Sequence, residues 1–245
     1  MFTFFHRRKK IVVDCFTADS LAYEYAPIIR GSKAFPKWWT KLPITDVNDI
    51  NFSLEQKNMR KCYGFLELYK RSFVVPCWTD FRFKVTPNNG YSWFMNFKSP
   101  GSEPIEHPKS QYEGGFNDYY HTKLQSPWHV REKSGVHFLF TAATWNLENY
   151  DFLIPPGILE YGINHATNIN ILMPKKKTDY SFFIPVGKPL VHIIPVADNV
   201  KIEIQNHLVT QNEIIKLFPP PATLRGIFPL FDIKKNEKKC PFRFS

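Results

Sequence analysis

The stretch Ser181-Phe-Phe-Ile-Pro-Val-Gly-Lys-Pro-Leu-Val-His-Ile-Ile-Pro195 constrains this chain most. It reads as strand, tight turn, strand. Ile184 and Val186 bracket Pro185, Gly187 and Pro189 punctuate the turn, and Leu190 to Ile194 resume a β-branched apolar run. Runs of this kind bounded by Gly and Pro are strand signals. Pro is more frequent than Gly, 20 against 11, and long helices are hard to place among that many prolines. The expectation is a mainly β body, a sandwich or barrel-like form with two or three short helices. With 23 Phe, 11 Tyr and 6 Trp in 245 residues, core material is ample, because each ring buries about 150–250 Å².

Three stretches follow from local pattern. Residues 1–71 form an N-terminal layer, with a strand at Ile11 to Thr17 and a short turn or helix within Ser20 to Ile29. Phe35-Pro-Lys-Trp-Trp-Thr-Lys-Leu-Pro43 reads as a single helical turn started by Pro36 and stopped by Pro43, its two tryptophans a packing plug. Leu54 to Tyr69 has helical spacing at Met59, Cys62, Tyr63, Leu66 and Tyr69, with Ser53 and Gln56 as a capping box. Residues 72–204 form the β body. There Pro76 interrupts a strand from Ser72 to Val85, Pro87-Asn88-Asn89-Gly90 signals a hairpin turn, and Tyr91 to Phe97 returns. Lys98 to Gly115 reads as a loop. Trp128 to Ala142 has strand character, with Ser134-Gly135 as a break, and Ile169 to Met173 is a short buried strand. Residues 205–245 hold a helix within Asn206 to Leu217, capped by Thr210 with Glu213 three residues on, and a Lys-rich tail.

The formal net charge is +10. The basic clusters are Arg7 to Lys10, Lys175 to Lys177 and Lys234 to Lys239. None interleaves with aromatics, so a solvated basic surface is the first expectation and nucleic-acid contact through the basic tails the second. Cys15, Cys62, Cys77 and Cys240 show no C-x-x-C and are expected as reduced thiols. The apolar start, Met1 to His6, is too short for a signal peptide, and no window of about 18 apolar residues predicts a membrane span.

Eight histidines invite a metal reading. The one-residue spacing His-x-His or His-x-Asp/Glu, which sets two ligands on one strand face, does not occur, and no metal site is expected. There is no nucleophile elbow, phosphate-binding loop or dinucleotide fingerprint. His192, among apolar neighbours on a strand, reads as a hydrogen-bonded core histidine or as a pocket group at the mouth of a β barrel.

Phe35 to Pro43, Met59-Arg-Lys-Cys62, Ser72-Phe-Val-Val-Pro-Cys-Trp-Thr-Asp-Phe81, Trp128, Ile154-Pro-Pro-Gly157 and Phe183 to Pro195 occur in this order. From about residue 20 to 200 the chain resembles an uncharacterised family of marine tailed phages, including T4-like cyanophages. Here Tyr63 follows Cys62 where that family has Pro, and Val186 stands where it has Ala. The resemblance implies a phage origin and no reaction. Lys133-Ser-Gly135, Gly157-Ile-Leu-Glu160 and Gly187 to His192 also echo, in order, the motifs of the trimeric dUTPase-like β-clip. Glu160 would stand where that family has its catalytic Asp, and His192 where it has Gln.

The leading expectation is a non-enzymatic binding or assembly protein of a phage, in the virion or the host cytoplasm, with a protein partner or further copies of itself. The alternative is a small-molecule or nucleotide-binding enzyme of β-clip or cupin-like form, with Ser134, Glu160, His165 and His192 as ligand-binding candidates. No cofactor is assigned.

Overall fold

Strand-forming segments dominate because the chain rarely runs ten residues without a proline, glycine or β-branched cluster. The computed structural model describes residues 9–43, 58–87, 89–98, 101–112 and 114–218. In chain order these are β1 (Lys9–Thr17), α1 (Ser20–Tyr25), β2 (Ile29–Arg30), α2 (Lys37–Thr40), α3 (Tyr63–Arg71), β3 (Phe73–Pro76), β4 (Phe81–Thr86) and β5 (Gly90–Met95). Then follow β6 (Ile105–Glu106), β7 (Tyr119–Leu124), β8 (His129–Glu132), β9 (His137–Ala142), β10 (Gly157–Glu160) and β11 (Ile169–Pro174). The last are β12 (Tyr180–Ile184), β13 (Pro189–Pro195), β14 (Val200–Leu208) and α4 (Gln211–Leu217).

The fold is mainly β. Its strands form four sheets, in the orders β14-β1-β8, β10-β9-β13-β3-β2, β11-β7-β6 and β12-β4-β5, and no closed barrel is made among the described residues. Among the described residues there are four short α-helices rather than the two or three expected. None is long and apolar enough to cross a membrane. β1 lies between β14, in parallel from Lys9↔Val200 to Thr17↔Leu208, and β8, antiparallel. The hydrogen-bonded network therefore runs across residues 71/72 and 204/205. One apolar core likewise joins Ile11 and Val13 of β1 to Phe73, Phe81, Trp128, Phe138 and Ile193. β13 is the middle strand of the five-stranded sheet and is buried along most of its length, which explains its nearly unbroken apolar run.

Several sequence expectations change. The segment from Ser181 to Pro195 does turn tightly, with Gly187 at φ 78°, but it is not a hairpin. β12 pairs β4, whereas β13 pairs β3 and β9 in another sheet. The segment from Ser72 to Val85 does the same: β3 and β4 part at residues 77–80. The two crossings are stitched together by Cys77 N to Lys188 O and Gly187 N to Cys77 O, both 2.8 Å. Pro76 and Pro189 sit opposite each other at this corner, where a missing N–H does least harm to the ladder.

The helix expected from Leu54 begins at Tyr63. Residues 59–61 form a 3-10 turn, and Cys62 caps α3 without a side-chain hydrogen bond. Ser53 and Gln56 lie outside the described residues. The apolar spacing there serves two elements rather than one. At the other end, Asn206 to Leu208 stay in β14, and α4 starts only after Thr210, which forms the expected capping box with Glu213. The predicted loop from Lys98 to Gly115 carries the two-residue strand β6 on β7. The segment from Trp128 to Ala142 breaks at Ser134-Gly135 into β8 and β9, which join different sheets.

The two tryptophans of α2 enter an aromatic cluster with Phe35, Phe65, Tyr69 and Trp145. Phe35 stacks on Trp39 at 4.2 Å and on Tyr69 at 4.6 Å between centroids. The indole N–H groups donate to the carbonyls of Trp145 and Met59, each at 3.0 Å. The plug reaches the five-stranded sheet through Tyr69, whose ring meets His192 of β13 edge-on.

Candidate binding face

β4, β5 and β12 form a small antiparallel sheet whose inner face is core and whose outer face is open. Side chains alternate across a strand, so Phe81, Phe83 and Val85 point inward while Arg82 and Lys84 point outward. The register aligns Phe83 with Trp93 on one side and Phe182 on the other, all inward; Phe83 stacks on Phe182 at 5.0 Å. One residue along, the outward row is Phe183, Arg82 and Phe94; the next is Ser181, Lys84 and Ser92. Phe94 is 57% exposed and Phe183 38%. The Arg82 guanidinium lies 4.6 Å from the centre of the Phe183 ring. Together these residues line a shallow depression of about 370 Å³.

Cations also rest on half-buried rings of this part of the molecule. Lys98 lies over Trp93, Lys176 over Tyr180 and Lys188 over Tyr150. Burial, with Asp151 and Tyr120 adding to it, pushes the Tyr180 phenol up to about 12. Carboxylates are present too: Asp179 lies 3.7 Å from Lys84, Glu103 lies 3.1 Å from Lys98, and Asp151 pairs with Lys176. At one end of the face Asp80 clamps the corner. One oxygen accepts the Val186 N–H at 2.8 Å and the other the Asn96 amide at 2.6 Å. The platform is therefore held by its backbone ladder, its buried rings and this clamp.

The four residues singled out from sequence are dispersed. Ser134 is exposed in the β8–β9 turn, where its N–H donates to Glu132. Glu160 ends β10 and lies 3.6 Å from His137. His165 holds the Val130 carbonyl through Nδ1 at 2.9 Å. His192 is fully buried on β13, its Nδ1 2.9 Å from Ser72 Oγ and its ring edge-on to Tyr69 at 4.8 Å. No hydrogen bond or ion pair joins any two of these four among the described residues. Glu160 pairs with His137 of β9, and His192 pairs with Thr141 of the same strand from the other side. That register separates the two by about 13 Å along the strands and about 10 Å across them. His192 thus lies beneath α3 rather than at a barrel mouth, and burial pulls its pKa down to about 4. Its Nε2 has no hydrogen-bond partner.

No three His, Cys, Asp or Glu side chains converge as a metal site among the described residues. His107 and His121 stack at 4.3 Å, and burial chiefly lowers the pKa of His121. Cys15, Cys62 and Cys77 are free thiols. Burial holds Cys15 and Cys77 well above the ordinary thiol range, which makes them inert packing groups.

Sequence reasoning missed Arg82, Phe94 and Phe183. The signal lay in the adjacent ring pairs Trp93-Phe94 and Phe182-Phe183. With a period of two, one ring of each pair must leave the core.

No family model and no curated protein matches the chain. Among solved structures, a mutant of the dUTPase of Staphylococcus bacteriophage 80alpha aligns with 54% of this chain and 94% of its own length. The identity is 15% and the TM-score 0.27. A superposition that loose carries no argument about chemistry.

Proposed function

We propose that this chain is a non-enzymatic binding or assembly protein of a phage, acting in the virion or in the host cytoplasm during infection. The observation that carries the reading is the outer face of β4, β5 and β12. Large rings are left in water there, beside cations, on a sheet whose other side packs against the core. Exposed aromatic and arginine side chains on a preorganised surface are the composition of interaction sites. The phage attribution rests on the ordered motifs from Phe35 to Pro195. The alternative, a small-molecule or nucleotide-binding enzyme, is less favoured because Ser134, Glu160, His165 and His192 do not meet around one cavity.

Purified virions and fractionated infected cells, probed with an antibody to this chain, test the proposal. The expected result is recovery in the virion or in a complex well above the 28.8 kDa of one chain. Recovery as a free monomer that turns over a nucleotide or another small molecule would end it.

A further inference from the structure

We infer that the outer face of β4, β5 and β12 is a docking site for single-stranded nucleic acid; this rests on the binding-protein reading above and names its partner. The basic tails are not the site argued here. The argument begins with the row Phe183–Arg82–Phe94. Two open rings flank one guanidinium across three hydrogen-bonded strands. The rings stand on the outer strands, about 10 Å apart. Unpaired bases stack on exposed aromatic side chains and on arginine planes, while cations follow the phosphates. This row supplies both kinds of contact. Lys84, the next outward residue of β4, supplies a further cation.

Charge selects among occupants. Arg82 has no ion pair among the described residues, so the row between the two rings carries an uncompensated positive charge, which favours a polyanion. A second copy seated face to face would set Arg82 and Lys84 against their own likes. A duplex is disfavoured by shape, because its major groove admits a helix or a two-stranded ribbon, whereas this face is a three-stranded sheet without a protruding element. A single strand with splayed bases fits a flat face of rings. The carboxylate of Asp179 does not close the site. It holds Lys84 through a solvent-exposed pair, and such pairs are weak and screened, so a phosphate can take its place.

The test is fluorescence anisotropy of a fluorescein-labelled oligothymidylate with the full-length protein over a range of salt concentrations. The expected result is salt-dependent binding that falls at least about tenfold in the Phe94→Ala/Phe183→Ala double variant. In Arg82→Ala the binding should weaken and the salt slope should become shallower by about one. Lys201→Ala, an exposed cation on β14, should change affinity by less than about twofold and serves as the control. All the altered side chains are solvent-facing, and equal melting temperatures confirm that the fold is kept. As a second readout, a 4-thiouridine oligonucleotide should crosslink to the peptides carrying Arg82, Phe94 or Phe183. Binding undiminished in the double variant, or crosslinks confined to the terminal segments, overturns the inference. So does an absence of oligonucleotide binding at low salt, and so does a double variant whose only change is loss of self-association, which would assign the face to a second copy. If the inference fails while the protein is still recovered in a virion or complex, the binding-protein reading stands without it. Recovery as a free, catalytically active monomer removes both.

Discussion

Two aromatic regions of this molecule are built from the same residue types and end differently. In the plug of Phe35, Trp38, Trp39, Phe65, Tyr69 and Trp145, rings meet rings, and both indole N–H groups of α2 reach backbone carbonyls. A cation beside it, Arg60, lies 5.0 Å from the Trp39 ring and is tied down by the carbonyls of Leu42 and Thr40. On the outer face of β4, β5 and β12, Phe94 and Phe183 keep a side in water, and Arg82 has no such carbonyl tether among its described contacts. Aromatic content by itself does not separate a core from a site. What separates them is the partner of each ring: other rings in the plug, a guanidinium and water on the sheet face.

The comparison predicts opposite phenotypes. The largest effect is expected in the plug. Phe65 is 3% exposed and touches Phe35, Trp38, Trp39, Tyr69 and Trp145. Phe65→Ala should cost about 3–5 kcal/mol, read as a lower midpoint in urea unfolding, with oligonucleotide binding of the folded fraction unchanged. A loss near zero would mean that the plug is not part of the cooperative core.

Next is the histidine beneath the plug. His192 has its folded pKa lowered from 6.5 to about 4 by burial, so the folded state favours the neutral ring. Its contribution is complete above about pH 6.5 and is lost as pH falls toward 4, in total about 3 kcal/mol as an upper bound. Urea midpoints across that window should fall more steeply for the native chain than for His192→Gln. Parallel curves would show that the ring is not held neutral.

A smaller effect is expected where the face meets the corner. Asp80→Ala removes the acceptor of the Val186 N–H and the Asn96 amide, a loss of about 1–2 kcal/mol. It should also loosen the end of the face, seen as faster amide exchange at Val186 than at Phe83. The smallest stability effect belongs to the face itself. Phe94→Ala should move stability by no more than about 0.5 kcal/mol while weakening partner binding most. A large destabilisation there would make Phe94 a core residue and erase the contrast.

Much of the local structure was legible from sequence. The strand at Ile11 to Thr17, the break at Ser134-Gly135, the buried strand at Ile169 and the Thr210–Glu213 capping box all carry their signals within a few residues of sequence. The helix start was displaced because residues 59–62 have helical apolar spacing yet serve a tighter 3-10 turn. The candidate site was less legible. The apolar neighbours of His192 in sequence left two readings open, a hydrogen-bonded core histidine and a pocket group, and the structure gives the first. Its real neighbours, Ser72 and Tyr69, come from a segment about 120 positions away.

By itself the sequence determined the period of each element, the places where the chain must turn, and therefore a mainly β fold. Those properties follow from φ restriction, β-branching and side-chain alternation, which act within a turn or a strand. Only the tertiary structure decided the partners. β1 pairs in parallel with β14, nearly two hundred positions away. The turn at Gly187 sends its two strands into different sheets. Phe94 and Phe183 come to share one outward row with Arg82 only because β5 and β12 both pair with β4. Pairing depends on which apolar faces cover one another, and that choice belongs to the whole core.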